Sequence, residues 1–134
     1  MRHVRSREDV LPNRMLIGGA SRGGVLAIAY AGQNPDVFAG VLNFNGGWLG
    51  QGCRGYEEVN RRVFQGGAAY PKPTLWLYGK RDNYYPIDHC RSNFQTFVAS
   101  GGNGSFHAAQ GGHMLVLYPK FWEQTLEEFL SKVG

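Results

Sequence analysis

Apolar positions along this 134-residue chain fall into short runs parted by glycine-rich and polar segments, and two periodicities alternate. Met15-Leu16-Ile17 lies in a strand predicted over about 14–19, and the apolar stretch Val25 to Ala31 suits a buried helix over about 22–32, stopped at Gly32 before Asn34-Pro35. Phe38 through Val41-Leu42-Asn43-Phe44 predicts a second strand over about 38–44. Thr74-Leu75-Trp76-Leu77-Tyr78, β-branched, aromatic and Leu, predicts a third over 74–78 that is buried. Ile87, Cys90, Phe94, Phe97 and Val98 recur at helical spacing, so a helix over about 87–99 has one apolar face. Ser105-Phe106-His107-Ala108 reads as a short last strand. Pro119 opens a last helix over about 119–132, with Trp122, Leu126, Phe129, Leu130 and Val133 toward the core and Glu123, Gln124, Glu127 and Glu128 toward water. Strand and helix alternating in this way predict an α/β chain: three αβα layers around a short, mostly parallel sheet covered on both faces.

The alternation breaks between residues 45 and 73. This excursion holds Gly46-Gly47-Trp48, Gly50, Gly52 and Gly55 and a short helix near Tyr56–Phe64. It lies within a single domain spanning 1–134.

Gly19-Ala20-Ser21-Arg22-Gly23 falls between the first strand and the first helix. G-x-S-x-G at that junction is the pattern of a nucleophile elbow, a sharp strand-to-helix turn that exposes a Ser hydroxyl. Such a turn demands residues almost without side chains, and Gly19 and Gly23 meet the demand. The backbone N–H of Arg22 then lies at a helix N-terminus, where it can face a developing oxyanion. With 20 glycines in the chain, a Gly-rich turn of no chemical meaning is the competing reading, and the positions of partner residues decide between the two.

A Ser nucleophile needs a base, and the base needs an orienting carboxylate. Asp82 follows the third strand in Gly79-Lys80-Arg81-Asp82-Asn83, and His113 follows the last strand in Gln110-Gly111-Gly112-His113-Met114. Both fall beyond the carboxyl ends of strands, where open α/β sheets place their sites. The rivals fit less well. Asp88 suits a helix start, Asp36 a turn after Pro35, His107 a strand interior, His89 a helix surface, and His3 a charged N-terminal segment. Ser21, Asp82 and His113 are therefore the predicted triad.

On Ile17-Gly18-Gly19-Ala20-Ser21-Arg22-Gly23-Gly24, Leu75-Trp76-Leu77-Tyr78-Gly79-Lys80-Arg81-Asp82 and Gly111-Gly112-His113, the chain resembles the α/β-hydrolase superfamily, within it the dienelactone hydrolase-like esterases. The resemblance runs from about residue 10 to the end. It implies that Ser21 is the nucleophile, Asp82 the acid and His113 the base. It also implies that the four strands match the last four of an eight-stranded sheet, so that the chain corresponds to the C-terminal half of the fold. Dienelactone hydrolases carry Cys as nucleophile; Ser at position 21 points to a broader esterase or peptidase-like activity on a small-molecule ester. Of the family's two oxyanion donors, the one carried here would be Arg22 N–H, the other belonging to a loop after the third strand of the full fold. In hydrolases of this type the segment matching residues 45–73 builds the wall of the substrate pocket, so Trp48 either lines that pocket or packs under the Gly-rich loop, and Tyr84 and Tyr85, just after Asp82, are open to the same two readings. The Arg22 guanidinium either meets an anionic substrate or points to solvent.

Composition narrows the remaining classes. An apolar share of 43% is that of a globular chain, and a net charge of +4 is modest, with Arg2, Arg5, Arg7 and Arg14 near the start and Arg54, Arg61 and Arg62 in the middle. There is no basic stripe interleaved with aromatics, so nucleic acid is not an expected partner. No run approaches a membrane span and Met1 to Val10 has no apolar core, so no membrane is expected; the default compartment is cytoplasmic, or exported if the native N-terminus lies elsewhere. No metal or organic cofactor is implied, since the chain has neither CxxC nor a His/Cys cluster. Cys53 and Cys90 leave a disulfide open. The exposed edge of the sheet is a site for a homodimer or for pairing with an N-terminal half.

Overall fold

Four short strands run side by side in chain order and all in parallel: β1 (Leu16–Ala20), β2 (Gly40–Phe44), β3 (Thr74–Gly79) and β4 (Gly104–Ala109). They appear in a computed structural model that describes residues 1–133. Helices connect them, as parallel crossovers require: α2 (Arg22–Gln33) between β1 and β2, α3 (Tyr56–Gln65) within the long excursion, α4 (Ile87–Ala99) between β3 and β4, and α5 (Glu123–Val133) at the end. A single exposed turn of helix, α1 (Arg2–Arg5), precedes them and buries nothing.

β3 is buried along its whole length, and its alternation divides the core. Trp76 and Tyr78 face one side, where Val25, Ile28 and Ala31 of α2, Phe64 of α3, and Cys90 and Phe97 of α4 pack on them. Leu75 and Leu77 face the other, against Leu115 and Phe129 with Leu126 and Trp122 around them. The result is three layers, with α2, α3 and α4 on one face and α5 on the other. Trp76 anchors the thicker side, 4.5 Å between ring centroids from Phe64 and 5.1 Å from Phe97; each such aromatic pair adds about 0.5–1.5 kcal/mol beyond area burial.

The predicted last helix does not run unbroken. A 3₁₀ turn, Pro119–Phe121, is separated from α5 by Trp122 at φ −143°. The indole causes the break: it packs edge-on to Phe44 at 4.9 Å and donates to the Leu115 carbonyl at 3.0 Å, a position that a continuous helix would not give it. Two residues assigned to core faces are exposed. Val98, 44% exposed, lies 100° round the helix from Phe97, outside the stripe made by Ile87, Cys90, Phe94 and Phe97. Leu130, 41% exposed, lies beside Leu16 of β1, a strand paired on one side only among the described residues. Cys53 and Cys90 are free thiols, one exposed and one buried, so the disulfide left open is not formed.

Register aligns the four carboxyl ends. Ala20 is level with Phe44, Phe44 with Leu77, and Gly79 with Ala109. The segments following all four strands therefore emerge at one edge of the sheet.

Candidate active site

The turn after β1 holds Ser21 at φ 57°, ψ −123°. A non-Gly residue at positive φ is strained and has to be held by its surroundings. The Ser21 N–H donates to the Phe44 carbonyl at 2.9 Å, and its carbonyl accepts from Gly24 N–H at 3.0 Å and Gly47 N–H at 3.2 Å. Space around the turn corrects one expectation. A Cβ on Gly19 would overlap the Gly23 backbone, and one on Gly24 would overlap the Asn43 side chain, but a Cβ on Gly23 would meet nothing. The turn thus needs Gly19 and Gly24, and Gly23 of the G-x-S-x-G pattern is sterically free.

Asp82 leaves the loop after β3 with its side chain fully covered, and every acceptor position of its carboxylate is used. Oδ1 accepts from the N–H groups of Tyr84 at 2.7 Å and Tyr85 at 3.0 Å. Oδ2 accepts from Asn45 Nδ2 at 2.9 Å and lies 2.9 Å from His113 Nδ1. Three N–H donors already point at the carboxylate, so it faces His113 as an acceptor: Nδ1 is the donor and Nε2 carries the lone pair. That Nε2 is 3.0 Å from Ser21 Oγ, and the hydroxyl donates to it. A tautomer is thus fixed by a saturated carboxylate, and a Ser hydroxyl is directed at a basic nitrogen. The three residues come from three separate loops, 92 positions apart at the extremes.

These residues open onto a cleft of about 870 Å³, lined by Arg22, Trp48, the 50–53 loop, Tyr84 and Tyr85 as well as Ser21 and His113. Trp48 is 36% and Tyr84 59% exposed. Tyr84 lies 4.5 Å from the imidazole, ring centre to ring centre. Tyr85 instead is buried, its hydroxyl donating to the Gly47 carbonyl at 2.9 Å, and burial pushes its phenol pKa up. Arg22 opens α2, and neither its N–H nor that of Gly23 has a backbone partner, as for any first helical turn.

Two asparagines escaped the sequence reading. Asn45, at φ 49°, is the second strained residue of the chain and holds Asp82 from the end of β2. Asn60 on α3 is wholly buried and uses its full amide capacity: Oδ1 accepts from Trp48 N–H at 2.8 Å and Leu49 N–H at 2.9 Å, while Nδ2 donates to the Leu49 carbonyl at 2.8 Å and to His89 Nε2 at 3.0 Å. Asn93 Nδ2 reaches the same His89 nitrogen at 3.2 Å. His89 is therefore no helix-surface residue. It is half-buried, its pKa is lowered by burial, and it braces the loop that carries Trp48. Asn45, next to Gly46-Gly47, reads as a turn former, and Asn60 reads as one more polar position of a short helix, which masked both. Among the described residues no group of His, Cys, Asp and Glu could hold a metal, and no helix is long and apolar enough to cross a membrane.

Comparison with solved structures supplies the fold's relatives. An esterase from Pyrococcus furiosus, Pf2001, superposes with a TM-score of 0.76 at 16% identity, over 99% of this chain and 59% of its own. Esterase PE8 gives 0.72 at 18% identity, over 99% and 56%. An acylaminoacyl peptidase from Pyrococcus horikoshii gives 0.66 at 17%, over 87% and 22%. The fold is the C-terminal half of an α/β-hydrolase fold. The chain spans 22% to 59% of the length of these three proteins, and identities this low speak for the fold alone. No family model and no curated protein matches the sequence.

Proposed function

We propose that this chain is a serine hydrolase that cleaves carboxylic esters, or closely related acyl bonds, through an acyl-enzyme. The supporting observation is the hydrogen-bonded series Ser21 Oγ, His113 Nε2, His113 Nδ1, Asp82 Oδ2, with separations of 3.0 and 2.9 Å. In this reading His113 Nε2 takes the Ser21 proton as Oγ bonds to the ester carbonyl carbon. The charge that develops on the carbonyl oxygen faces the Arg22 N–H at the start of α2. Asp82 stabilises the imidazolium and keeps its tautomer. As the carbonyl re-forms, the C–O bond to the alcohol breaks and His113 gives the alcohol its proton. Water repeats the cycle: His113 takes its proton, the acid leaves, and Ser21 regains its hydrogen. A site with one oxyanion donor turns over roughly 10²–10³ more slowly than one with two, about 2.7–4 kcal/mol. Turnover of 4-nitrophenyl acetate that disappears in Ser21→Ala supports the reading; an unchanged rate in that variant refutes it.

A second reading has its own observation. Exposed Leu26 and Tyr30 of α2, 49% and 40% accessible, and Leu130 of α5 flank the open edge of β1 on both faces of the sheet. A chain that works only when that edge is completed, by a second copy or a separate half, would show this pattern. Sedimentation across a hundredfold concentration range separates the readings: a monomer at every concentration with a cooperative melt speaks for self-sufficiency, and concentration-dependent association for completion at the edge.

A further inference from the structure

We propose that the cleft beside Ser21 selects aryl esters bearing a carboxylate, with the Arg22 guanidinium as its counter-ion. This rests on the hydrolase reading above and adds the substrate class. Arg22 is held in two ways that leave its binding edge free. Its Nε donates to the Trp48 carbonyl at 3.1 Å, and its guanidinium carbon stacks 4.9 Å over the Trp48 indole. The two terminal nitrogens make no hydrogen bond or ion pair among the described residues. A planar pair of N–H donors on a fixed stem matches a carboxylate in bidentate fashion.

The surroundings have no competing anion. No Asp or Glu lines the cleft, and Asp82, the nearest acid to His113, is covered and saturated by its four hydrogen bonds. A second concavity of about 500 Å³, which His113 also lines, carries Arg81 and Lys120 and again no acid. Both concavities that His113 borders thus carry cations and no acid, a distribution that draws anionic ligands in. Tyr84, 59% exposed, and Trp48, 36% exposed with Arg22 stacked on one ring face, give the cleft an aromatic lining, so the matching ligand has an aryl body and a carboxylate.

Two measurements test this, one independent of catalysis. Benzoate and its uncharged analogue benzamide are titrated against the protein while indole fluorescence, to which Trp48 contributes, is followed. The expected result is that benzoate binds about 10–100-fold tighter, that Arg22→Gln removes the preference and that Arg22→Lys retains part of it, with unchanged melting curves showing that both variants fold. Equal affinities, no binding of either compound, or a preference that persists in Arg22→Gln overturns the proposal. Hydrolysis of 4-acetoxybenzoate against 4-acetoxybenzamide then separates the two levels of the argument. A benzoate preference with no turnover of either ester refutes the hydrolase reading and leaves the anion site standing. Turnover of both at equal kcat/KM, insensitive to Arg22→Gln, refutes the anion site and leaves the hydrolase reading.

Discussion

Asp82 carries more of the site's geometry than Ser21 does. Four hydrogen bonds converge on its carboxylate from Asn45, Tyr84, Tyr85 and His113, and that saturation fixes which His113 nitrogen is basic. Asp82→Asn exchanges one acceptor for a donor and reverses the tautomer, so kcat should fall by roughly 10⁴-fold with KM little changed; steady-state kinetics on 4-nitrophenyl acetate check it. The elbow makes an asymmetric prediction from its two motif glycines. Gly19→Ala forces a Cβ into the Gly23 backbone and should cost about 1–3 kcal/mol or more. Gly23→Ala enters open space in the first turn of α2 and should stabilise by about 0.4–1 kcal/mol. Urea unfolding of both variants measures the contrast. The G-x-S-x-G string could not show this difference, because it depends on the Gly23 backbone lying against Gly19 while the space beside Gly23 itself is open.

Elements explain what the sequence made legible. Ser21, Asp82 and His113 each lie in the segment that follows a strand, so locating the strands located the loops that carry them, and parallel register brought those loops to one edge. Helix α4 and strand β3 were equally plain, since their periodicity comes from burial against a single face or two. Asn45 and Asn60 had no such signal: their meaning lies in partners 37 and 11 or 12 residues away, set by β2–β3 register and by α3 docking under the loop. The break at Trp122 was hidden for the same reason, because it follows from Phe44 and Leu115 rather than from neighbours in sequence. The Asn60 brace makes two predictions. Asn60→Ala orphans the N–H groups of Trp48 and Leu49 and the Leu49 carbonyl, with an expected loss of about 1–3 kcal/mol and a raised KM as the Trp48 wall loosens. His89 accepts from both Asn60 and Asn93 at Nε2, so it must be neutral when folded. Tyr56 faces it edge-on at 4.9 Å, and Glu57 opposes the burial effect without cancelling it. The folded pKa therefore lies below the ordinary 6.5. As pH falls through 6.5 the unfolded chain takes up the proton first, so this contribution to stability is full above that pH and is lost below it. The urea midpoint of the native protein should fall more steeply below pH 6.5 than that of His89→Gln.

At the scale of the whole molecule, the fold separates two thiols by environment. Burial pushes the Cys90 thiol well up, while Cys53 is exposed on the rim of the cleft. A thiolate-trapping reagent should modify one cysteine in the folded protein and both in urea, and a bulky group on Cys53 should slow ester turnover by obstructing the cleft. Each of these outcomes requires the four-strand sheet to fold and to hold Ser21, His113 and Asp82 in one hydrogen-bonded series. The most direct test of that series is labelling of the folded protein with a fluorophosphonate, followed by peptide mass spectrometry. The expected result is a covalent adduct on Ser21 that is lost in His113→Ala while the variant still melts cooperatively. Folded protein that takes no label, or a Ser21 label indifferent to His113, would contradict it.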